Sequence, residues 1–289
     1  MQPHPDQLAA SAAIVEQGTF EAAARRLHVT TSAISQRIRA LESAAGQVLI
    51  RRSNPCVATP AGEAFVRLAR QVSLLYEEAA GSLTDDAAAP DLTVAVSADS
   101  LATWFRAVVG QTAHWQVALR LHVEDQGFSA DLLRRGEVLA AVTSDPVAVQ
   151  GCAVERLGVL RYRPAAAPAF AERWRHGRGY DWTRMPMIVF NDKDTLQHEL
   201  LRERDVGVPS VVHRVPTSAD FHEAVRLGLG WGLLPEPQLS PDLRDGRLVK
   251  LSARQHLDVA LHWQRWRIDS PALTRLTDAV RAASASALR

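Results

Sequence analysis

The chain has only two cysteines, Cys56 and Cys152, among its 289 residues. Two cysteines so far apart exclude a disulfide-stapled secreted scaffold and indicate a reducing compartment. No cysteines and histidines stand at the close spacing of metal ligands. We therefore expect neither a metal site nor a cofactor.

Long apolar runs are also lacking. No stretch reaches the roughly 18 consecutive apolar residues that indicate a membrane-spanning helix. The first residues have neither the basic region nor the long apolar core of a secretory leader. The sequence therefore predicts a cytoplasmic protein with no membrane partner.

Catalytic signatures are a third absence. The chain contains no G-x-S-x-G elbow, no H-E-x-x-H and no G-x-G-x-x-G after a strand. The glycine-rich GLGWG at 228–232 precedes a strand, which is typical of a tight turn and not of a phosphate loop. The sequence thus disfavours an enzyme, and we predict no catalytic residue.

The charge of the chain is uneven, although its formal total is only +1. Residues 18–54 hold six arginines against two glutamates, a local net charge of +4. A small basic module in an otherwise balanced chain is typical of a domain that binds a polyanion such as DNA.

Three short helices are predicted at the N-terminus. Residues 6–17 are rich in alanine and begin with an acid, and Gly18 ends this helix. Thr19 suits the N-cap of a second helix and Thr30 that of a third, because threonine hydroxyls accept bonds from the unpaired N–H groups at helix starts. Two helices joined by so short a turn form a helix-turn-helix.

The third helix has an apolar and a polar face. Ile34, Ile38 and Leu41 follow the i, i+4, i+7 spacing of a buried stripe. Opposite them, five polar side chains fall within about 140° of arc. A merely solvated face would favour long Glu and Lys pairs, whereas these groups are the ones that contact base edges and phosphates in a major groove. The five are Thr31, Ser32, Ser35, Gln36 and Arg39.

A hairpin is predicted after this helix, because two short β-prone pieces surround the turn RRSNP at 51–55. Such a hairpin is a wing, and its arginines would contact backbone phosphates or the minor groove. With the capping threonines and Arg37, the predicted DNA-binding residues are Thr19, Thr30, Thr31, Ser32, Ser35, Gln36, Arg37, Arg39, Arg51 and Arg52.

A longer helix is predicted from Pro60, a residue suited to the first helical position. Its apolar residues recur in steps of three and four, the narrow seam of a coiled coil. One helix cannot bury such a seam alone, so we expect it to pair with a second copy. The seam residues are Phe65, Leu68, Val72, Leu75 and Ala79. Small, acidic and Pro-containing residues at 81–91 predict a linker.

Beyond the linker, strands alternate with helices, which predicts parallel sheets and an α/β architecture. The predicted strands are 92–97, 117–124, 138–143, 187–190 and 231–235, and the predicted helices are 99–112, 129–136, 195–205, 218–228 and a last helix from Pro271.

The sequence FEAAARRLHVTTSAISQRIRALESAAGQVLIRR followed by TPAG resembles the DNA-binding domain of LysR-type transcriptional regulators. Within that family, SADSLATWF, VTSDPVAVQGC and VFND are similar to the ArgP/LysG-like branch, which responds to lysine and arginine. The resemblance implies a multidomain α/β protein with an N-terminal winged helix-turn-helix, a linker helix for dimerisation, and a two-lobed effector domain like a periplasmic binding protein.

The resemblance also implies a domain division: 1–59 for the DNA-binding domain, 60–90 for the linker helix and hinge, and 91–289 for the effector domain. Lobe I would comprise about 91–161 and 267–289, and lobe II about 162–266. Crossings between lobes are expected near 157–164 and 261–267. The expected partners are operator DNA, L-lysine or L-arginine, further copies in a dimer or dimer of dimers, and as a further candidate RNA polymerase.

A ligand site is expected where strands end and helices begin. The unpaired N–H groups after the first strand favour a ligand carboxylate, although helix capping alone explains those serines equally well. Acids near the other strand ends suit a basic amino acid, with salt bridges to arginines or plain exposure as the alternative for each. The predicted effector-binding residues are Ser97, Asp99, Ser100, Glu124, Asp125, Thr143, Ser144, Asp145, Asp192 and Thr217, with Asp194 and Asp220 nearby.

Other functions remain open from the sequence. A LysR-type regulator of a different small molecule fits the same motifs. An architectural or replication-control protein that binds DNA by charge alone would show little discrimination at physiological salt. An extracytoplasmic solute-binding protein conflicts with the N-terminal motif and the missing leader.

Overall fold

A computed structural model describes residues 2–81, 83 and 89–289. Its N-terminal unit begins with α1 (Pro5–Gln17), α2 (Phe20–Arg26) and α3 (Thr31–Ala45). The predicted caps are confirmed: the Thr19 Oγ1 accepts the Ala22 N–H at 3.1 Å and the Thr30 Oγ1 accepts the Ala33 N–H at 3.2 Å. Gly18 ends α1 with a φ of 75°, a left-handed conformation that glycine adopts without strain.

The three helices share one small core. Ala23 and Ala24 of α2 are buried against Ile14 of α1 and against Ile34 and Ile38 of α3. Alanine at the crossing lets two helices approach closely, which explains why so short a turn suffices. The helix-turn-helix predicted from the sequence is confirmed.

The wing and the long helix follow directly. β1 (Ile50–Arg51) pairs antiparallel with β2 (Val57–Ala58), and α4 (Pro60–Gly81) starts two residues later. One face of α4 is buried within the chain, whereas Leu68 and Leu75 of the predicted seam are 37% and 42% exposed. The linker predicted at 81–91 lies largely outside the described residues, which omit 82 and 84–88.

The rest of the chain is built on a mixed seven-stranded sheet of order β11-β6-β13-β5-β3-β4, with β12 on β6. Its first half comprises β3 (Asp91–Val96), α5 (Ala98–Ala102), α6 (Arg106–Thr112), β4 (Ala118–Val123), α7 (Ser129–Arg134), β5 (Ala140–Thr143) and β6 (Cys152–Ala166). The second half comprises α8 (Pro168–Arg173), β7 (Arg175–His176), β8 (Gly179–Tyr180), β9 (Met187–Val189), α9 (Leu196–Glu203), β10 (Val212–Arg214), α10 (Ser218–Arg226), β11 (Gly232–Pro235), α11 (Glu236–Arg244), β12 (Val249–Lys250), β13 (Leu257–Trp266) and α12 (Pro271–Ala287).

Two long strands connect the lobes. β6 and β13 have 15 and 10 residues and pair antiparallel along most of their length. The crossings expected near 157–164 and 261–267 fall on these strands, and α12 returns to pack against α6 of lobe I. The two-lobed α/β fold class predicted for the effector domain is confirmed.

Two predictions of local structure need correction. The single helix predicted at 99–112 is two helices, because the chain breaks at Thr103, whose hydroxyl bonds back to the Asp99 carbonyl oxygen at 2.6 Å. The sheets are not purely parallel, since the crossing strands run antiparallel to their neighbours. The elements α8, α11, β10, β12 and the β7–β8 hairpin were not predicted.

The largest buried side chains belong to the effector domain. Trp263 and Trp266 of β13, Tyr162 of β6 and Trp231 directly before β11 are at most 1% exposed. Trp231 packs edge-on against Trp182 with ring centroids 4.9 Å apart. In the part of the chain that the structure describes, no helix is both long and apolar enough to cross a membrane.

Candidate functional site

The polar face of α3 lies outside the N-terminal core. Ser32, Gln36 and Arg39 are exposed, and Thr31 and Ser35 are half-buried beside them. Ile34, Ile38 and Leu41 on the opposite face are at most 1% exposed. The helical period alone therefore presents hydroxyl, amide and guanidinium groups to the outside, where a DNA groove would meet them.

The capping threonines hold the two helix starts. Thr30 uses its hydroxyl on the backbone of α3, and the same oxygen lies 2.9 Å from the Ser32 Oγ. The Thr19 hydroxyl likewise accepts a backbone N–H group at the start of α2. Both caps leave other N–H groups of the first helical turns available to phosphate oxygens.

Arg37 points towards the other helices. Its Nη2 donates to the Asp6 Oδ2 at 2.8 Å, so it ties α3 to α1. This ion pair is a structural contact of Arg37 that was not predicted. The predicted role of Arg37 in DNA binding stays a prediction.

The wing extends the polar face. Arg51 and Arg52 are both exposed, and the Arg52 guanidinium lies 4.9 Å from the centre of the Phe20 ring. A groove runs between this arginine and α3, and its lining also includes Ser35 and Asn54. Phe20 and Asn54 were not predicted for this surface, because their place in it depends on how the wing packs.

A separate cleft lies between the lobes of the effector domain, with a cavity of about 110 Å³. It forms where β3, β4, β9 and β11 end, as expected for ligand sites of α/β sheets. The lining residues are Ser97, Ala98, Asp99, Val123, Glu124, Asp125, Gln126, Phe190, Asn191, Asp194, Leu196, Gln197, Phe221, Leu233, Leu234, Pro235 and Gln238.

Four carboxyl groups face this cavity, and its described lining contains no lysine, arginine or histidine. Burial raises the pKa values of Asp99, Asp125 and Asp194, and the neighbouring negative charges add to each rise. Burial also acts on Glu124, but a hydrogen bond from the nearby Lys193 ammonium lowers its pKa overall. The cleft therefore disfavours the ionised forms of these three aspartates, and a bound cation would relieve this cost.

Asp99 connects the two lobes. Its Oδ1 accepts a hydrogen bond from the Ser218 Oγ at 2.9 Å, and Ser218 starts α10 in lobe II. The buried Tyr162 hydroxyl on β6 also bonds this carboxyl group. A second contact between the lobes joins the Lys193 Nζ to the Glu124 Oε1 at 2.9 Å.

The other two acids are held by backbone groups. Asp194 accepts the N–H groups of Phe190 and Leu196 at 2.8 and 3.1 Å. Asp125 accepts the Gly127 N–H at 2.8 Å. These bonds fix the direction of each carboxylate, so the negative charges of the cleft are preorganised.

The carboxylate pocket predicted at the start of α5 stays a prediction, and its two serines already have hydrogen bonds of their own. Ser97 lines the cleft, but its Oγ accepts the Ser100 N–H at 3.2 Å and lies 3.0 Å from the Ser100 Oγ. Ser100 is fully buried beneath it and does not line the cavity. The two hydroxyls thus serve the helix start.

Five further predicted residues lie outside the cleft lining. The buried Thr143 donates to the Gln126 carbonyl oxygen at 2.9 Å, and Asp145 lies 3.5 Å from the Arg134 guanidinium. Asp192 pairs with an arginine of β10 and its side chain is 82% exposed. Thr217 caps α10 and lines a neighbouring groove. The full set outside the lining is Thr143, Ser144, Asp145, Asp192 and Thr217.

Several residues of the cleft lining were not predicted from the sequence. Gln197 and Gln238 come from helices of lobe II, and Phe190 and Phe221 supply apolar walls. Glutamine inside a helix carries no distinctive sequence signal, and α11, which holds Gln238, contains an internal proline that argues against a helix.

Comparisons with known proteins agree with this architecture. The family model for bacterial regulatory helix-turn-helix proteins of the lysR family matches residues 5–63, and that for the LysR substrate binding domain matches residues 85–285. A lysine export transcriptional regulatory protein, LysG, from Corynebacterium efficiens is 47% identical over 279 residues, which cover 96% of either chain.

Solved structures that are similar over the whole chain include two regulators with known names. The crystal structure of ArgP from Mycobacterium tuberculosis has a TM-score of 0.89 at 44% identity and covers 100% of this chain and 99% of its own. Full-length LysG from Corynebacterium glutamicum with bound effector Arg has a TM-score of 0.82 at 41% identity, with 99% of each chain covered.

Proposed function

The chain belongs to the LysR family of bacterial transcriptional regulators, and we propose that it senses L-lysine or L-arginine in the cleft between its lobes. It then controls a gene for export or metabolism of basic amino acids. The observation that carries the proposal is the set of four carboxyl groups in a cleft whose described lining has no basic side chain. The similar LysG structure with bound effector Arg supports it.

The electrostatics of the cleft favour a cation. Partly buried carboxylates without a cationic partner are costly, because burial removes the water that stabilises their charge. A lysine or arginine side chain supplies both a positive charge and several N–H donors. A neutral or acidic amino acid lacks that side-chain charge and would leave the three aspartates of the cleft without a cationic partner.

We place the DNA contacts on α3 and the wing, and the dimer contact on α4. Leu68 and Leu75 leave an apolar seam accessible on α4, and pairing with a second copy would cover it. Two copies bring two recognition helices to one operator, and a dimer of dimers would span a longer site.

A short series of hydrogen bonds connects the cleft to α4 through α7. The loop with Asp125 leads directly into α7, and the Ser129 hydroxyl bonds the Asp125 carbonyl oxygen at 3.0 Å. At the other end of α7, the Arg134 carbonyl oxygen accepts from the Arg67 Nη1 of α4 at 3.2 Å, and the Gly136 carbonyl oxygen accepts from an Arg70 guanidinium. Lobe closure would thus move α4 and change the spacing of the DNA-binding domains.

DNA readout is tested by two substitutions on the predicted surface. Arg51→Ala removes a phosphate contact, so it should weaken operator and scrambled duplexes alike and lower the salt slope by about 1. Gln36→Ala removes a base contact, so it should cost about 1–3 kcal/mol of discrimination between the two duplexes. Fluorescence anisotropy at two salt concentrations measures both, and equal behaviour of the two variants would contradict the assignment.

Ligand binding is tested by calorimetry with arginine and lysine, using leucine and glutamate as controls. We expect saturable binding of the basic pair alone. Because burial raises the pKa values of Asp99, Asp125 and Asp194, binding of a cation should release protons. Affinity should therefore fall as the pH drops towards these raised pKa values, and buffers of different ionisation enthalpy measure the proton release. Heat from leucine or glutamate, or affinity that rises on acidification, would contradict the proposal.

A further inference from the structure

Two glutamine side chains in the cleft have an acceptor without a donor. The Oε1 atoms of Gln197 on α9 and Gln238 on α11 are buried and have no hydrogen-bond partner among the described residues. Gln197 as a whole is only 1% exposed, and both side chains line the cavity. Buried acceptors without donors are rare because each costs the desolvation of the group. Where such an acceptor belongs to a residue that lines a cleft, a ligand can supply the missing donor.

The orientation of Gln197 follows from its neighbour. Its side chain hydrogen-bonds the Asp194 carboxyl group, and an ionised carboxylate can only accept, so the amide nitrogen faces Asp194. The amide oxygen is therefore turned away from Asp194. Asp194, Gln197 and Gln238 all belong to lobe II and form one wall of acceptors opposite the acids of lobe I.

We propose that Gln197 and Gln238 determine which cationic ligand this cleft prefers, by accepting N–H groups from the ligand's charged end. A guanidinium offers five N–H donors in a planar fork, whereas an ammonium offers three donors from one nitrogen. Two amide oxygens on separate helices and the Asp194 carboxylate provide several acceptors, which suit the larger number of donors on a guanidinium. The cleft thus favours arginine over lysine. This inference rests on the proposed sensing of basic amino acids.

The test compares three glutamine-to-methionine variants by calorimetry with arginine, lysine and the uncharged arginine analogue citrulline. Methionine keeps a similar side-chain volume but has no amide oxygen. Gln197→Met and Gln238→Met should each weaken arginine binding by roughly tenfold to a hundredfold, the loss of one hydrogen bond to a charged donor, and lysine binding by less. Citrulline should bind weakly to every variant.

Gln255→Met is the matched control. The Gln255 Oε1 is also buried without a partner, but this residue precedes β13 and does not line the cleft. Its substitution should leave both affinities unchanged. Gln238→Glu, which retains acceptor oxygens, should retain the preference for arginine, and thermal unfolding of each ligand-free variant shows that it is folded.

The outcomes separate this inference from the proposed function. Native protein that binds neither arginine nor lysine would overturn both. Native protein that binds arginine, with Gln197→Met and Gln238→Met unchanged or weakened equally for arginine and lysine, would overturn the role of the glutamines and leave the sensing of basic amino acids standing.

Discussion

Replacing Gly62 by alanine should destabilise the winged helix-turn-helix and abolish operator binding. A Cβ atom at Gly62 would lie 2.0 Å from the Leu49 carbonyl oxygen and 2.9 Å from its carbon, far inside van der Waals contact. That oxygen is held by the Thr59 N–H at 2.9 Å, and the Leu49 N–H donates to the Glu42 Oε1 at 2.9 Å. The backbone therefore cannot give way without breaking the junction of α3, the wing and α4.

We expect a loss of about 3 kcal/mol or more, at the upper end of overpacking effects. Differential scanning calorimetry should show the N-terminal unit unfolding at a lower temperature, and anisotropy should show no specific operator complex. Gly81→Ala is the control within the same helix, because a Cβ at Gly81 would meet nothing within 4 Å. Native stability and DNA affinity in Gly62→Ala would show that the junction can yield.

Replacing Asp99 by asparagine should have opposite effects on ligand binding and on the ligand-free protein. Removing one negative charge from the cleft should weaken arginine binding by roughly tenfold to a hundredfold, about 1.5–3 kcal/mol. Burial raises the pKa of Asp99, so its ionised form is less stable in the folded protein than in the unfolded chain. The ligand-free variant should therefore be more stable at neutral pH, and this gain should vanish below the ordinary carboxyl pKa.

Titration calorimetry and thermal unfolding with and without arginine measure both effects. The control is Asp192→Asn, because Asp192 is exposed and pairs with Arg214 at 2.7 Å outside the cleft. It should change neither affinity nor ligand-free stability appreciably. An equal loss of affinity in the two variants would mean that only the overall charge of the domain matters, which would contradict a local role for Asp99.

The helices of the DNA-binding domain follow from local sequence signals. The start of α2 follows from Thr19, the start of α3 from Thr30 and the end of α1 from Gly18, because these signals act within a few residues. The exposed face of α3 follows from the helical period alone, with Ser32 and Gln36 outside and Ile34 inside. In such a short domain, local rules decide most of the surface that meets a partner.

The cleft between the lobes, in contrast, depends on how distant parts of the chain pack together. Asp99, Glu124 and Asp125 reach it because their strands end beside one another, whereas Asp145 and Asp192 follow strands too and turn away. Local sequence places a residue after a strand but does not say which way its side chain faces once a second lobe packs above it.

The wall with Gln197 and Gln238 shows the same limit more clearly. These residues lie in helices about 40 residues apart and far in sequence from Asp99. They meet the acids of lobe I only because β6 and β13 pair over most of their length and bring lobe II above lobe I. That approach depends on contacts between residues distant in sequence, which no local pattern records, and it is what turns scattered acids and amides into one site.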